Sequence, residues 1–194
     1  EYLDLYDEEQ KLYSIGYLKI QKDADQGNVK SMVKFGVMLL KGDGIEINKK
    51  EAARYLKSAA DLGDKEAMFH YGLMLSKGDG IKINKKEGSR YLKTSADRGE
   101  SRSMYHYGLM LEKGDGIQKN IKEAIRYIKM SADKGETIAM LKYGDMVYDG
   151  KGIVSNKKEA ANYYKMSADQ GNITSMENYG NMLYEGKGIE INKK

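Results

Sequence analysis

The part of this sequence that most resembles a ligand-binding element is a glycine-rich segment, KGDGIEINKKE, at positions 41–51. Glycine-rich turns that lead into helices bind phosphate, and acidic glycine loops bind calcium. Neither spacing fits. If Asp43 and Gly44 took positions 5 and 6 of a calcium loop, positions 1 and 3 would be Leu39 and Lys41, which supply no carboxylate. The phosphate-loop spacing of glycine, lysine and serine or threonine is also missing. We therefore expect this segment to turn the chain, not to bind a ligand.

The two histidines, His70 and His106, are the other candidates for metal binding or acid–base chemistry. They occupy equivalent places in neighbouring repeats, described below, and packed helices lie about 8–10 Å apart. A zinc site needs nitrogens at about 2.0–2.1 Å from the metal, so this pair alone would not complete one. No serine, histidine and acid follow the pattern of a catalytic triad. We predict a protein that is not an enzyme and that has no metal and no cofactor.

The composition argues against several classes of binding partner. The formal charge of +4 arises from 33 basic and 29 acidic residues, and there is no cysteine. Nucleic-acid binders usually concentrate basic and aromatic residues on one face, and no apolar run approaches the roughly 18–20 residues that span a bilayer. We expect no nucleic-acid, membrane or small-molecule partner. The lack of cysteine favours a reducing, cytoplasmic compartment, and a lumenal location is the alternative that the sequence leaves open.

The glycine-rich segment recurs every 36 residues, and this period indicates the architecture. A fixed period of 20–50 residues is typical of solenoid proteins. The segment reads Gly-Asp-Gly-Ile at 42–45, 78–81 and 114–117, and Gly-Lys-Gly-Ile at 150–153 and 186–189. Counted from Asp25, the repeat units run 25–60, 61–96, 97–132 and 133–168, with a partial unit from 169.

Each unit contains two stretches of helix length. In the first stretch, Met68, Tyr71, Gly72 and Leu75 of the second unit show the i, i+3, i+4, i+7 spacing of one helix face. The second stretch opens with asparagine followed three residues later by glutamate, as at 48–51, which predicts a capping box. In that motif the glutamate bonds back to the backbone of the cap residue.

Glycine also recurs inside the first helix of every unit, where it costs about 0.8–1 kcal/mol relative to alanine. We expect close contact with the alanine-rich second helix to offset this cost. Another glycine follows each second helix, where a left-handed cap favours it. The interior glycines are Gly36, Gly72, Gly108, Gly144 and Gly180.

These residues resemble the Sel1-like repeat, a relative of the tetratricopeptide repeat, over about residues 25–192. The resemblance implies an all-α fold, a right-handed α-solenoid of antiparallel helix pairs, which serves as a scaffold for protein–protein assembly. Some bacterial members carry a cysteine pair in every repeat and are secreted, and this chain departs from them. In the second unit the matching residues are Ala67, Met68, Tyr71, Gly72, the loop 78–81, Tyr91, Ala96 and Gly99.

The ends of the chain depart from the regular pattern. Residues 25–194 form the repeat array, with four full repeats and a partial fifth. Residues 1–24 are predicted to be either an irregular first repeat or an N-terminal capping helix. The chain begins with Glu1 and stops where a further second helix would start, which indicates a fragment of a longer protein. The apolar residues expected to form the capping face are Leu3, Leu5, Leu12, Ile15 and Leu18.

The first helices carry further residues that face away from the recurrent stripe, and we predict that these form a partner-binding concave face. In solenoids of this class the first helices line the concave surface. The alternative is packing between successive first helices, which would also select apolar residues. Lys34 and Lys142 flank the face. The candidate residues are Val33, Val37, Phe69, His70, Leu73, Tyr105, His106, Leu109, Leu141 and Asp145.

The predicted function is a non-catalytic scaffold or adaptor that binds a protein or peptide through this face. The alternative is an accessory region that positions substrate within a larger enzyme or complex, such as a kinase or a ubiquitin-ligase assembly. Lysine pairs near the starts of second helices form either a basic ridge for an acidic partner or, as the composition favours, a solvated face. They lie at 49–50, 85–86, 157–158 and 193–194.

Overall fold

The computed structural model describes residues 16–189, and within this range the chain is helical with no strand. This confirms the all-α prediction. Residues 16–25, here α1, are helical throughout, and each of the nine later helices has 13 residues. These are α2 (Val29–Lys41), α3 (Lys49–Asp61), α4 (Lys65–Lys77), α5 (Lys85–Asp97), α6 (Ser101–Lys113), α7 (Ile121–Asp133), α8 (Thr137–Asp149), α9 (Lys157–Asp169) and α10 (Ile173–Glu185).

The chain divides into two compact units, Glu1–Arg98 and Gly99–Lys194. In the first unit α2 and α3 run antiparallel. Phe35 of α2 packs edge-to-face on Tyr55 of α3, and Leu39, one turn further along α2, accepts a hydrogen bond of 2.9 Å from the backbone N–H of Asn48, which precedes α3. The second unit repeats this arrangement between α6 and α7.

The aromatic pair is the centre of each repeat. Ring centroids lie 5.0 Å apart for Phe35–Tyr55, 5.1 Å for Tyr71–Tyr91, 4.9 Å for Tyr107–Tyr127 and 4.7 Å for Tyr143–Tyr163, all edge-to-face. Such pairs contribute about 0.5–1.5 kcal/mol beyond the area that they bury. Each pair joins the first helix of a repeat to the second helix of the same repeat.

The second helices begin as predicted in one respect and differently in another. The side chain of Asn84 accepts a hydrogen bond from the backbone N–H of Glu87 at 3.1 Å, which confirms the asparagine cap. The glutamate, however, does not bond to the backbone of the cap residue. The Asn84 N–H donates instead to the carbonyl of Leu75 at 2.8 Å, and the Glu87 carboxylate accepts from the Asn84 side-chain amide at 2.9 Å. The cap therefore also ties the second helix to the first.

The glycine-rich segment turns the chain at two glycines in the left-handed region. Gly42 has φ of +76° and Gly44 has φ of +73°, and the Gly42 N–H donates to the Met38 carbonyl at 2.8 Å to close α2. Ile45 then packs against the core of the first unit. The predicted turning role of this segment is confirmed.

The same segment also contacts the preceding repeat, which the sequence did not predict. A Cβ on Gly80 would overlap the backbone and Cβ of Lys49, and one on Gly152 would overlap the side chain of Ile121. The Lys49 ammonium lies 2.6 Å from the carboxylate of Asp79 in that turn. The turn is therefore an inter-repeat contact, and Lys49 belongs to it and not to a free basic ridge.

The interior glycines permit close helix approach, but the neighbouring side chain is not alanine. A Cβ on Gly36 would lie 2.8 Å from Leu56 Cγ, and one on Gly108 would lie 2.6 Å from Ile128 Cγ1. The small residues of the second helix contribute mainly through backbone carbonyls, such as that of Ala52 at 3.4 Å. The expected close contact is present, and a large aliphatic or aromatic residue makes it.

Hydrogen bonds join successive second helices within each unit. The hydroxyl of Tyr91 donates to the Asp61 carboxylate at 2.9 Å, and that of Tyr163 donates to Asp133 at 2.5 Å. Within a repeat, a buried serine ties the second helix to the start of the first, because Ser95 Oγ donates to the Lys65 carbonyl at 2.6 Å. The two tyrosine–aspartate bonds connect residues 30 positions apart and fix one repeat on the next.

Helix α1 packs through residues other than the predicted ones. Ala24 is buried, and Tyr17 and Ile20 pack against the core of the first unit. Leu18, which was expected to face inward, is 52% exposed, so that prediction is wrong. The reason is helical spacing, because Tyr17, Ile20 and Ala24 share one stripe and Leu18 lies off it. The other four predicted capping residues lie outside the described range.

The fourth turn has Lys151 where the first three have aspartate, and the structure explains the change. The carboxylate of Glu112, which is 6% exposed, lies 2.7 Å from Lys151 Nζ and 2.9 Å from Lys142 Nζ. A carboxylate at such a buried position is stable when cations pair with it. Lys151 and Lys142 supply those cations from the following repeat.

Replacement of Glu112 by glutamine is expected to lower the free energy of unfolding by about 1–2 kcal/mol, because the two ammonium groups lose their counter-charge. Burial raises the pKa of the Glu112 carboxyl, but hydrogen bonds from Lys151 and Lys142 outweigh burial and hold that pKa below its ordinary value. A lowered folded-state pKa stabilises the protein above the unfolded-state pKa and loses this effect as the pH falls through the folded-state pKa.

Urea denaturation at several pH values measures this effect. The difference between wild type and Glu112→Gln should be full at neutral pH and should shrink below about pH 4. The control is Glu177→Gln, which changes an exposed carboxyl of α10 and should have little effect. A difference that does not depend on pH would contradict the role of the ionised carboxylate.

Candidate functional site

The first unit contains an open groove along α2. Val33 and Val37, both predicted as site residues, line it together with Lys34. Val33 is buried, and Val37 is half-buried and packs against the core. Residues 30, 33, 34 and 37 form one stripe of α2 because they lie at i, i+3, i+4 and i+7. The groove therefore follows a single helix face.

Helix α1 and the start of α4 contribute to the same groove. Its volume is about 960 Å³, within the range of pockets that bury a small ligand or a few side chains of a peptide. Apolar side chains dominate its surface, with charged groups at the margins. The lining residues are Gly16, Tyr17, Ile20, Lys30, Val33, Lys34, Val37, Met38, Asp43, Gly44, Asp64 and Glu66.

The predicted residues of α4 are less accessible than those of α2. Phe69 is 5% exposed, and His70 is buried with its ring centroid 5.0 Å from that of Phe69. The His70 Nε2 lies 3.8 Å from a carboxylate oxygen of Glu66 one turn earlier. Leu73 is half-buried. Burial of Phe69 and His70 fits the packing interpretation of these two positions, whereas Leu73 keeps part of its surface in solvent.

In the second unit the predicted apolar residues are half-buried. Tyr105, Leu109 and Leu141 pack against the core of that unit, and the ring of His106 lies 5.3 Å from the ring of Tyr105. Burial raises the pKa of the Tyr105 hydroxyl, which keeps it neutral and able to donate a hydrogen bond. Each of these side chains retains some accessible surface.

Asp145, the last predicted site residue, lies in a small polar pocket of the second unit. Its carboxylate accepts hydrogen bonds from Tyr164 at 2.8 Å and from the Asn178 amide at 3.5 Å. Burial raises the pKa of the Asp145 carboxyl, and the Tyr164 hydrogen bond offsets only part of that rise. Lys187 also lines the pocket. Asp145 is therefore held in place by its own neighbours and differs from the apolar members of the predicted set.

Among residues 16–189, no group of three or more histidine, aspartate or glutamate side chains is arranged to hold a metal ion. In the same range, no helix is long and apolar enough to cross a bilayer. What the geometry does provide is an apolar groove with charged margins, which suits the binding of a chain segment.

The residues that line the groove and that the sequence-based prediction missed include Tyr17, Ile20, Lys30 and Met38. Tyr17 and Ile20 are spaced at i and i+3, a signal that was present but was assigned to a different face of the same segment. Lys30 lies one turn before Lys34 on the stripe that the prediction used, so that stripe could have been extended toward the start of α2.

Comparison with a family of repeat sequences gives a match over most of the chain. A family model described as the Sel1 repeat matches residues 29–64, 65–100, 101–136, 137–172 and 173–194. Each unit of the family model begins at the first helix of a pair. Its first residue lies four positions after the start of the corresponding unit counted from Asp25. Curated proteins gave no sequence match.

Several solved structures resemble the chain, and three of them are as follows. The Escherichia coli protein c5321, a protective antigen of uropathogenic strains with an SLR fold, has 23% identity and a TM-score of 0.83, covering 91% of this chain and 38% of that protein. A Sel1 repeat protein from Oxalobacter formigenes has 26% identity and a TM-score of 0.76, covering 93% and 76%. Cysteine rich protein B of Helicobacter pylori has 22% identity and a TM-score of 0.54, covering 66% and 92%.

The chain thus spans well under half of the Escherichia coli protein. The helices and glycine turns of residues 29–189 follow the same 36-residue units that the family model matches over residues 29–194. This chain belongs to the Sel1-repeat family.

Proposed function

We propose that this chain is a non-catalytic scaffold that binds a protein or peptide through the exposed face of its first helices. The observation that supports the proposal best is the apolar groove on α2, which contains Val33 and Val37. Helix faces of repeat proteins commonly bind extended or helical segments of a partner. Val37, Leu73, Tyr105, Leu109 and Leu141 would contribute accessible apolar contacts along the first helices.

Selection of peptides from a random phage-displayed library on the immobilised chain tests this proposal. We expect enriched peptides to bind with measurable affinity in fluorescence polarisation. Val37→Glu is expected to weaken that binding by roughly tenfold or more, because its carboxylate would project into the space that the apolar side chains of the peptide occupy and would lose water when the peptide binds. The long glutamate side chain can direct its charge toward solvent, which limits the cost in stability.

The matched control is Val154→Glu, because Val154 is 87% exposed and lies in a turn of the second unit. It should leave peptide binding and thermal unfolding unchanged. Circular dichroism would show whether Val37→Glu keeps the helical content of the wild type. Selection that enriches no peptide, or peptides that bind a folded Val37→Glu variant as tightly as the wild type, would contradict the proposed site.

A further inference from the structure

We propose that the groove on α2 takes an acidic amphipathic segment, whose apolar side chains cover Val33 and Val37 and whose carboxylates pair with Lys30 and Lys34. This inference rests on the proposed function and names the chemistry of the partner. It follows from which lysines and carboxylates around the groove form ion pairs within the chain and which do not.

Lys30 and Lys34 lie one turn apart on the stripe that contains the two valines. Both are exposed and both line the groove. In the described part of the chain, no carboxylate lies within ion-pair distance of either ammonium group. The stripe thus alternates cation and apolar residue, Lys30, Val33, Lys34, Val37, over two helical turns.

Equivalent basic residues of the second unit are compensated within the chain. Lys142 occupies the place of Lys34 in a later repeat, and its ammonium group lies 2.9 Å from the Glu112 carboxylate. Arg102 occupies the place of Lys30, and its Nε lies 2.8 Å from a carboxylate oxygen of Glu100. Lys30 and Lys34 have no such carboxylate partner among the described residues, and both line the open groove.

The acidic residues of the groove are placed differently. Asp64 caps α4, and its carboxylate accepts a hydrogen bond of 2.8 Å from the Ala67 N–H. Glu66 lies beside His70 at 3.8 Å. Asp43 lies in the turn after α2, which ends at Lys41. Lys30 and Lys34 are therefore the cations next to the valines, no carboxylate among residues 16–189 lies within 4.0 Å of either ammonium group, and an acidic segment complements them.

Two synthetic amphipathic peptides as long as α2 test the inference. They share one leucine stripe, and the polar positions beside it are glutamate in one and lysine in the other. We expect the glutamate peptide to bind the wild-type chain roughly tenfold more tightly than the lysine peptide, with an affinity that falls as salt is raised.

Charge reversal then tests which residues are responsible. Lys30→Glu combined with Lys34→Glu should reverse the preference, so that the lysine peptide binds more tightly. Lys50→Glu combined with Lys86→Glu makes the same change of net charge on exposed residues of α3 and α5 and should preserve the wild-type order. Reversal in the first variant alone would support a specific pairing and not a general effect of net charge.

Other outcomes would overturn the inference. If both peptides bind equally, or the lysine peptide binds better, the assigned partner charge is wrong. The proposed function survives that result when Val37→Glu still abolishes binding. If neither peptide binds at millimolar concentration, the inference of an acidic partner is wrong. The proposed function is wrong as well only if selection from the phage-displayed library also enriches no peptide. If sedimentation shows that the wild-type chain is a dimer and that the Lys30→Glu, Lys34→Glu variant is a monomer, the groove binds a second copy of this chain and the inference is wrong.

Discussion

Replacement of Tyr143 by alanine is expected to lower the free energy of unfolding by about 3–5 kcal/mol. The side chain is 2% exposed, and its ring lies edge-to-face on Tyr163 at 4.7 Å. Its hydroxyl donates to the Glu159 carboxylate at 3.0 Å, and burial raises the pKa of the phenol. Alanine would remove the ring, open a cavity between α8 and α9 and leave Glu159 without this donor.

Urea denaturation followed by circular dichroism measures the loss of unfolding free energy. Two further variants separate the contribution of the hydroxyl from that of the ring and supply a control. Tyr143→Phe keeps the ring and removes the hydroxyl, so it should cost about 0.5–1.5 kcal/mol. Tyr184→Ala removes a tyrosine that is 91% exposed on α10, and it should change stability by less than about 0.5 kcal/mol. If Tyr143→Ala were as stable as Tyr184→Ala, the aromatic pair would not be the centre of the repeat.

Replacement of Gly144 by alanine is expected to destabilise the protein by about 1–3 kcal/mol, although alanine is the better helix former. The new Cβ would lie 2.7 and 2.8 Å from two ring carbons of Tyr164. That ring has little freedom to move, because it is buried and its hydroxyl bonds to Asp145 at 2.8 Å. The clash should therefore exceed the gain in helix propensity of about 0.8–1 kcal/mol.

Gly180 provides the matched control because it occupies the same place in the next repeat. Among the described residues, nothing lies within 4 Å of a Cβ added at Gly180. Gly180→Ala should therefore leave stability unchanged or raise it by up to about 1 kcal/mol. Chemical denaturation of the two single variants compares the same substitution with and without a neighbour. Equal effects of both substitutions would exclude close packing as the reason why glycine recurs at this place in each repeat.

The features that sequence reasoning predicted best depend on residues close together in the chain. The stripe Met68, Tyr71, Gly72 and Leu75 is buried as expected, because helical periodicity alone places these residues on one face. The asparagine caps were also predictable, since a cap joins residues three positions apart. Recurrence at 36 residues strengthened each of these local signals.

The capping box and the capping face of α1 were less predictable for a tertiary reason. The N–H of Asn84 bonds to Leu75 of the preceding helix, and so the glutamate has no need to bond to it. Leu18 and Tyr17 are adjacent and both apolar, so composition does not separate them. Helical spacing groups Tyr17 with Ile20 and Ala24, and the core of the first unit covers that stripe, so Tyr17 packs inward and Leu18 outward.

In the candidate site, too, some features were predictable from local sequence and others depend on tertiary contacts. Val33, Val37 and Lys34 were predicted from their spacing, and the structure places all three in one groove. The sequence assigned Phe69 to the same accessible face, yet it is buried. Apolar residues at equivalent positions look alike in sequence, and the surrounding helices decide which of them stay accessible.

The sequence by itself determined the helical class, the 36-residue unit, the turns and the ends of most helices, because each depends on backbone conformation and on contacts within a few residues. The tertiary structure decided how the repeats are joined and where the chain is open. Glu112 meets Lys142 and Lys151 across 30 and 39 positions, whereas Lys30 and Lys34 meet no carboxylate in the described range. Such differences arise because burial and charge pairing depend on which residues neighbouring repeats bring together, and a period common to all repeats carries no information about them.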